Sequence, residues 1–271
     1  MSVAKSTVAS NVSAALAQMG KKVLHIGCDP KADSTRCLTK ARIPTVLQQL
    51  EVLGDGGTRE DYVFPGTVPG VWCVEAGGPR AGRGCAGMGI TAMEAELDRL
   101  GVLKEDWDVI LYDVLGDVVC GGFSVPMRKH FVDAVFIVSS SDFMSVFAAN
   151  NILSAVSYYF GHEKNLMGGF IWNRCRGDWD LQVAESFAQM TRTKILCRLK
   201  ESDEIRRSDY QRVLFVEQSP LSQPAGEIQK LAERILSWEG LKNQGEENGI
   251  YACTEEELEQ WRQNLQGRTE R

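Results

Sequence analysis

The stretch VLHIGCDPKADST at residues 23–35 joins a short apolar segment to a loop that carries two carboxylates and two hydroxyl groups. We expect Val23–Ile26 to form a buried strand, because short apolar runs bounded by glycine are typical of parallel sheets. Ligands bind at the carboxyl ends of such strands, so the loop should border a ligand site. A solvated loop in which Asp and Ser cap a following helix explains its composition equally well.

The rest of the chain repeats this pattern of a short apolar segment followed by a helical one. The strand candidates, including the first, are Val23–Ile26, Val71–Val74, Val109–Tyr112, Ala134–Val138, Met167–Trp172 and Ile195–Leu199. Apolar residues recur at helical spacing in Lys5–Met19, Thr91–Leu100, Met144–Tyr159, Leu181–Met190 and Ala225–Trp238. The alternation predicts an α/β fold with a doubly wound, mostly parallel sheet and helices on both faces.

Composition excludes several classes of protein. The 271 residues are 44% hydrophobic, enough for a large core. The formal charge of −6 argues against non-specific binding of nucleic acid. No apolar run approaches the ~18 residues of a membrane span, and the N-terminus lacks the apolar core of a signal peptide. We therefore expect a cytoplasmic protein that needs neither membrane nor nucleic acid, with its cysteines as thiols or ligands.

Lys5, Ser6 and Thr7 open the first predicted helix, and a Lys-Ser/Thr pair at a helix N-terminus is the closing half of a phosphate-binding P-loop. The helix N–H groups and Lys5 would hold phosphates, and the hydroxyl would bind Mg²⁺. The four residues before Lys5 include no glycine. By itself, therefore, the pair is better explained as an ordinary helix start.

Asp113 strengthens the phosphate-binding interpretation, because it directly follows the predicted strand Val109–Tyr112. A carboxylate in that position holds Mg²⁺ in P-loop NTPases, and a nearby glycine N–H can contact the γ-phosphate. We expect Asp113 and Gly116 to bind the nucleotide and its metal, and Asp117 to position or deprotonate the attacking water. An Asp that caps the following turn is the alternative.

Two cysteines stand close to glycines, Cys85 in GRGCAGMG at 82–89 and Cys120 in VVCGG at 118–122. Glycine permits close backbone approach, which suits an iron–sulfur cluster whose sulfides accept backbone N–H bonds. A [4Fe–4S] cluster needs four thiolates, so two subunits could supply two each. The remaining cysteines are expected to be small buried hydrophobes. The three histidines, at 25, 130 and 162, show no metal-ligand spacing and are expected to be structural.

Taken together, these motifs resemble those of the iron protein (dinitrogenase reductase) of nitrogenase and its nitrogenase-like relatives. The resemblance spans residues 5 to about 175 and is carried by GCDPKADSTR at 27–36, EAGGPRAGRGCAG at 75–87, DVLGDVVCGGF at 113–123 and AANNI at 148–152. It implies a P-loop NTPase-like fold, hydrolysis of MgATP, a homodimer, and one [4Fe–4S] cluster that bridges the subunits on Cys85 and Cys120. Ala32 favours the nitrogenase-type branch over the dark-operative protochlorophyllide reductase component.

The resemblance also implies roles for the residues of the loops. We expect Asp117, Asp29 and Lys31 to take part in catalysis. The residues expected to bind MgATP are Lys5, Ser6, Thr7, Asp33, Asp113, Gly116 and Asn173, the last of which matches the family's adenine-side asparagine. Residues 1–238 would form the iron protein domain without its usual first strand, and residues 239–271 a polar C-terminal tail with one helical candidate, Thr254–Leu265.

Two departures from the family pattern affect the expected activity. The family's loop GKGGIGKST is represented here by MSVAKST at residues 1–7, and both a late start and a divergent paralogue explain this. Ser2, Val3 and Ala4 add Cβ atoms where a phosphate should lie, so we expect weak binding of MgATP. The second departure is Met88, where nitrogenase iron proteins carry an arginine used in docking and as a target of ADP-ribosylation.

These observations predict an ATP-gated one-electron carrier. It would receive electrons from ferredoxin or flavodoxin and deliver them to a nitrogenase or nitrogenase-like catalytic component. A cluster carrier or maturation protein is one alternative. Another is a cluster-free ATPase switch of the partitioning type, although that function gives no reason for Cys85 and Cys120.

Overall fold

The computed structural model describes residues 4–79, 87–116, 132–160, 166–238 and 250–269. Its helices and strands, in chain order, are α1 (Lys5–Gln18), β1 (Val23–Gly27), α2 (Arg36–Thr39), α3 (Val46–Leu53), β2 (Phe64–Pro65), β3 (Val71–Glu75), α4 (Gly87–Arg99), β4 (Val109–Asp113), β5 (Val135–Ser139), α5 (Phe143–Phe160), β6 (Met167–Cys175), α6 (Asp178–Met190), β7 (Ile195–Lys200), α7 (Asp203–Gln211), α8 (Phe215–Gln218), α9 (Gln223–Leu236) and α10 (Glu255–Thr269). All six predicted strands are present, and so are the predicted helices. This confirms the α/β fold.

The described residues form two compact units. The N-terminal unit contains residues 4–79, 87–116 and 202–233, and the C-terminal unit contains residues 132–160, 166–201, 234–238 and 250–269. Each unit has its own sheet and its own apolar core.

The sheet of the N-terminal unit has the strand order β2-β3-β1-β4. β1 pairs in parallel with β3 and β4, and the short β2 runs antiparallel to β3. The register places Gly27, the last residue of β1, opposite Glu75 on one side and Asp113 on the other. Three strands therefore end level with one another, which gathers the loops that follow them at one edge.

Burial of these strands differs from one to the next. β1 is buried along its whole length, as predicted for an apolar strand in a parallel sheet. The prediction is wrong for β4, because Val109–Tyr112 are only half-buried. Among the described strands, β4 pairs with β1 alone, and an edge strand has fewer neighbours to cover it.

The C-terminal unit is built on the parallel sheet β5-β6-β7. Its core contains an aromatic cluster in which the ring centroid of Phe187 lies 5.3 Å from that of Phe170 and 5.7 Å from that of Trp261. Trp261 belongs to α10, and the neighbouring Leu258 and Leu265 are also buried. The described part of the predicted tail is thus packed into this core.

Candidate functional site

The first turn of α1 and the end of β4 meet in an ion pair. Nζ of Lys5 lies 2.7 Å from Oδ1 of Asp113. The Asp113 side chain is 1% exposed and that of Lys5 is 26% exposed. The two residues predicted to bind phosphate and metal are therefore in direct contact, and Lys5 retains access to solvent.

The carboxyl group of Asp113 is held in its charged form. Burial by itself would raise its pKa, but the Lys5 charge and hydrogen bonds from Lys5, Ser34 and Ser6 keep the pKa below its usual value. An ionised carboxylate has oxygen donors of the kind that Mg²⁺ prefers. These groups therefore fit a phosphate that carries Mg²⁺. Lys5 and the first turn of α1 suit the phosphate, and Ser6 and Asp113 suit the metal ion.

The start of α1 has an unusual backbone. Ala4, which precedes the helix, has φ of 53° and ψ of 41°, a left-handed conformation that non-glycine residues rarely adopt. Its side chain makes no helix-capping hydrogen bond. The position thus has the backbone geometry that glycine favours.

A chain of buried polar side chains leads away from Asp113. Ser34 Oγ donates to Asp113 Oδ2 at 2.6 Å, and it lies 2.8 Å from Nε2 of His25. The other ring nitrogen of His25 lies 2.8 Å from Ser13 Oγ on α1. Burial lowers the pKa of His25 to about 4, an effect that the Asp113 charge opposes and the Lys5 charge reinforces.

The loop after β1 carries the residues expected to take part in catalysis. Oδ1 of Asp29 accepts a hydrogen bond from the backbone N–H of Lys31 at 2.9 Å. Nζ of Lys31 lies 3.4 Å from Oδ2 of Asp29 and 3.8 Å from Oδ2 of Asp33, and these two charges raise the pKa of Lys31. The Lys31 side chain is 71% exposed, so it can leave these partners for an incoming ligand.

Glu75 is a buried acid at this edge of the sheet, and it is not among the residues predicted to form the site. Its Oε1 accepts hydrogen bonds from the backbone N–H and the hydroxyl of Thr35, both at 2.8 Å. Within the described chain, its Oε2 is buried without a hydrogen-bond partner. Burial raises the pKa of Glu75 to about 7, against the opposing effect of the Thr35 hydrogen bonds. The position could have been found, because Glu75 follows the predicted strand Val71–Val74 just as Asp113 follows Val109–Tyr112.

Other predicted ligand residues have contacts or surroundings of their own. Thr7 Oγ1 donates to Oδ1 of Asp209 at 2.9 Å. Gly116, three residues beyond β4, is exposed with open space where a Cβ would point. Asn173 lies on β6 in the C-terminal unit, where its Oδ1 accepts from the backbone N–H of Arg174 at 2.9 Å.

The predicted cluster ligands Cys85 and Cys120 and the predicted catalytic Asp117 lie outside the described residues. Within the described ranges, no group of three or more His, Cys, Asp or Glu side chains is arranged to hold a metal ion. Burial raises the pKa of the thiols of Cys28, Cys37, Cys73, Cys175 and Cys253. A raised pKa disfavours the thiolate that binds iron.

A helix that crosses a bilayer must be both long and apolar. Among the described helices, none combines the length and the apolar character required to cross a membrane.

The sequence is similar to that of known proteins. Residues 2–245 match the family described as 4Fe-4S iron sulfur cluster binding proteins, NifH/frxC family. Nitrogenase iron protein 2 of Methanothermobacter thermautotrophicus is 43% identical over 234 residues, which cover 86% of this chain and 85% of that protein. The nitrogenase iron protein of Methanococcus voltae is 40% identical over 235 residues, which cover 86% of this chain and 84% of that protein.

Solved structures show the same fold at lower identity. The septum site-determining protein MinD complexed with Mg-ADP from Pyrococcus horikoshii has a TM-score of 0.68 and 23% identity, covering 86% of this chain and 91% of that one. The cell division ATPase MinD of Pyrococcus furiosus has a TM-score of 0.67 and 22% identity, covering 86% of this chain and 93% of that one. These similarities confirm the predicted P-loop NTPase-like fold and concern the fold alone.

Proposed function

Because the chain belongs to the NifH/frxC family of 4Fe-4S iron–sulfur cluster binding proteins, we propose that it is an ATP-dependent one-electron reductase. In this proposal one [4Fe–4S] cluster bridges a homodimer, and its electron goes to a nitrogenase or nitrogenase-like catalytic component. Ferredoxin or flavodoxin is the proposed donor. The relatives named nitrogenase iron protein support the reductase role.

The observation that carries the proposal is the ion pair between Lys5 and Asp113. It joins the helix start that would hold phosphate to the strand end that would hold Mg²⁺. Asp113 lies seven residues before Cys120 on one continuous segment. A change at Asp113 on nucleotide binding can therefore be transmitted along the backbone to a cluster ligand.

Each of the predicted site residues named below has a distinct task in the proposal. Lys5 and the first N–H groups of α1 bind the phosphates, while Ser6, Asp33 and Asp113 provide oxygen ligands for Mg²⁺. Asp29, Lys31 and Asp117 act at the terminal phosphate and Gly116 binds the nucleotide, while Asn173 keeps the adenine-side role that the resemblance implies. Bound MgATP supplies the free energy of hydrolysis, and the cluster supplies the electron.

Cys85 and Cys120 are the proposed cluster ligands. Their test is anaerobic purification of the full chain followed by iron analysis and EPR of the reduced protein. Four irons shared by two chains give about two irons per chain. Cys85→Ser and Cys120→Ser should each abolish the cluster signal, while the matched control Cys37→Ser should keep it.

About four irons per chain would contradict a bridging cluster. Absence of a reducible cluster would favour the cluster-free ATPase switch, and a cluster without electron delivery would favour the carrier function.

A further inference from the structure

His25 is a polar residue enclosed in the sheet of the N-terminal unit. It lies in the middle of β1, is fully buried, and has the apolar Leu24 and Ile26 on either side. Both ring nitrogens are engaged at 2.8 Å, one by Ser13 on α1 and the other by Ser34 in the loop after β1. The ring therefore links α1, whose first turn would bind phosphate, to the loop after β1, whose Ser34 contacts Asp113.

The direction of every proton in this chain of hydrogen bonds follows from Asp113. An ionised carboxylate only accepts, so the single hydroxyl proton of Ser34 goes to Asp113 Oδ2. Ser34 Oγ must then accept from His25, which requires a proton on Nε2. A neutral imidazole has one N–H, so Nδ1 accepts the hydroxyl proton of Ser13. All the donors are thus oriented toward Asp113.

We propose that His25 is a positioning residue for Asp113, which it orients through the hydroxyl of Ser34. The Nε2–H group of His25 holds the hydroxyl of Ser34 in the orientation that donates to Oδ2 of Asp113. Oδ1 of Asp113 is then left to face Lys5. The carboxylate is then held at two points, and one of them is independent of Lys5. This role rests on the proposed function in so far as Asp113 is a ligand of the nucleotide-bound metal.

The first test needs no nucleotide. In the full-length chain with ¹⁵N-labelled histidine, long-range ¹H–¹⁵N correlation spectra distinguish the two neutral tautomers and the imidazolium. The signal of His25 is assigned by its loss in His25→Gln. We expect the neutral Nε2–H tautomer at pH 7. The Nδ1–H tautomer or the imidazolium would overturn the proposal.

Asp113→Asn provides the sharper version of this test. The Asn carbonyl should face the Lys5 ammonium, which needs an acceptor, and the Asn NH₂ would then donate to Ser34. Ser34 would in turn donate to Nε2 of His25, so we expect this variant to switch His25 to the Nδ1–H tautomer. An unchanged tautomer in a folded Asp113→Asn chain would overturn the proposal. If that variant does not fold, the wild-type tautomer and the binding experiment below decide.

The second test measures the effect on the metal site by calorimetric titration with MgADP. His25→Leu should weaken binding about tenfold, since the hydroxyl that orients Asp113 is no longer fixed. His25→Gln should restore most of it, because its side-chain amide can donate to Ser34. Equal affinity of His25→Leu and wild type would overturn the proposal. If wild type itself bound no MgADP, the proposed nucleotide function would fail, while the tautomer would still decide the role of His25.

Discussion

Ala4 has a backbone conformation that costs free energy in any residue other than glycine. At φ of 53° its Cβ crowds the following carbonyl, a conformation that costs about 1–2 kcal/mol. Ala4→Gly should therefore raise the free energy of unfolding by about 1 kcal/mol, part of the gain being offset by the greater freedom of glycine in the unfolded chain. Urea denaturation followed by circular dichroism measures this change.

The same substitution should strengthen binding of MgATP, because it removes a Cβ beside the proposed phosphate site. Ala15→Gly is the matched control, since Ala15 is buried in the interior of α1. There glycine should lower the free energy of unfolding by about 1 kcal/mol or more. A destabilised Ala4→Gly chain would show that the left-handed backbone at Ala4 carries no strain.

Met88 is the second residue at which a substitution tests function. It lies in the first turn of α4 and is 57% exposed. Met88→Arg should change the free energy of unfolding by no more than about 0.5 kcal/mol, as is usual for surface sites. We expect it to allow electron delivery to a nitrogenase catalytic component that docks on an arginine, because a guanidinium forms paired bonds to carboxylates that methionine cannot form.

The measurement for Met88 is acetylene reduction with the purified catalytic component. Residues 1–4 are replaced by the glycine-rich residues of the family's loop so that nucleotide binding does not limit the rate. Met144→Arg is the matched control, since Met144 is 68% exposed at the start of a different helix. Full activity of the unsubstituted chain would show that Met88 does not determine the partner.

At the scale of elements, the strands were the most predictable feature. Their apolar runs are long enough, and bounded clearly enough, to be distinguished from helices by sequence alone. The elements that were missed depend on other cues. Helix α3 starts with a capping box between Thr45 and Gln48 that could have been recognised. Helix α7 is mostly charged and β2 has two residues, so neither shows an apolar period.

The arrangement of the candidate site could be predicted where its residues follow the strands, and less so where it depends on contacts between distant residues. Asp113 is a candidate because it directly follows an apolar strand, and its ion pair with Lys5 places both residues at one edge of the sheet. The hydrogen bonds among His25, Ser34 and Ser13 were not predictable, since they require the packing of α1 on β1. The position of Glu75 after the predicted strand Val71–Val74 is visible in the sequence, but its hydrogen bonds with Thr35 are not, because the two residues are 40 positions apart.

Asn150 on α5 fixes the segment that leads into α10. Its Nδ2 donates to the carbonyl of Cys253 and its Oδ1 accepts from the N–H of Cys253, both at 2.8 Å. Asn150→Ala leaves both buried backbone groups without these partners, so the free energy of unfolding should fall by about 2–4 kcal/mol. The neighbouring Asn151 is exposed, and Asn151→Ala should change the free energy of unfolding by no more than about 0.5 kcal/mol. Equal urea midpoints for the two variants would contradict this role of Asn150.

At the scale of the whole molecule, the predicted boundary between residues 238 and 239 stays a prediction, because residues 239–249 lie outside the described part. The described end of the predicted tail is well packed, since Cys253, Leu258 and Trp261 are buried in the core of the C-terminal unit. Composition alone did not indicate this, because the apolar residues of α10 are few among many charged ones.

Two buried groups of the N-terminal unit should shape the pH dependence of stability in opposite directions. The pKa of His25 is lowered from 6.5 to about 4. Between pH 4 and pH 6.5, therefore, His25 is mostly protonated in the unfolded chain and mostly neutral in the folded chain. Stability from His25 is therefore lost as the pH falls from 6.5 toward 4. The pKa of Glu75 is raised from 4.5 to about 7, so its contribution is present below pH 4.5 and is lost as the pH rises toward 7.

Between pH 4.5 and 6.5 these two effects oppose each other, and the contribution of the pair to the pH dependence should be nearly flat. Glu75→Gln removes one of them and keeps an acceptor for Thr35, so its stability should fall relative to wild type on acidification, by up to about 1.4 kcal/mol per pH unit. His25→Leu should show the opposite relative slope. Urea denaturation at half-unit steps from pH 4 to 8 measures both differences. Parallel curves for wild type and the two variants would mean that neither group has the shifted pKa its burial predicts.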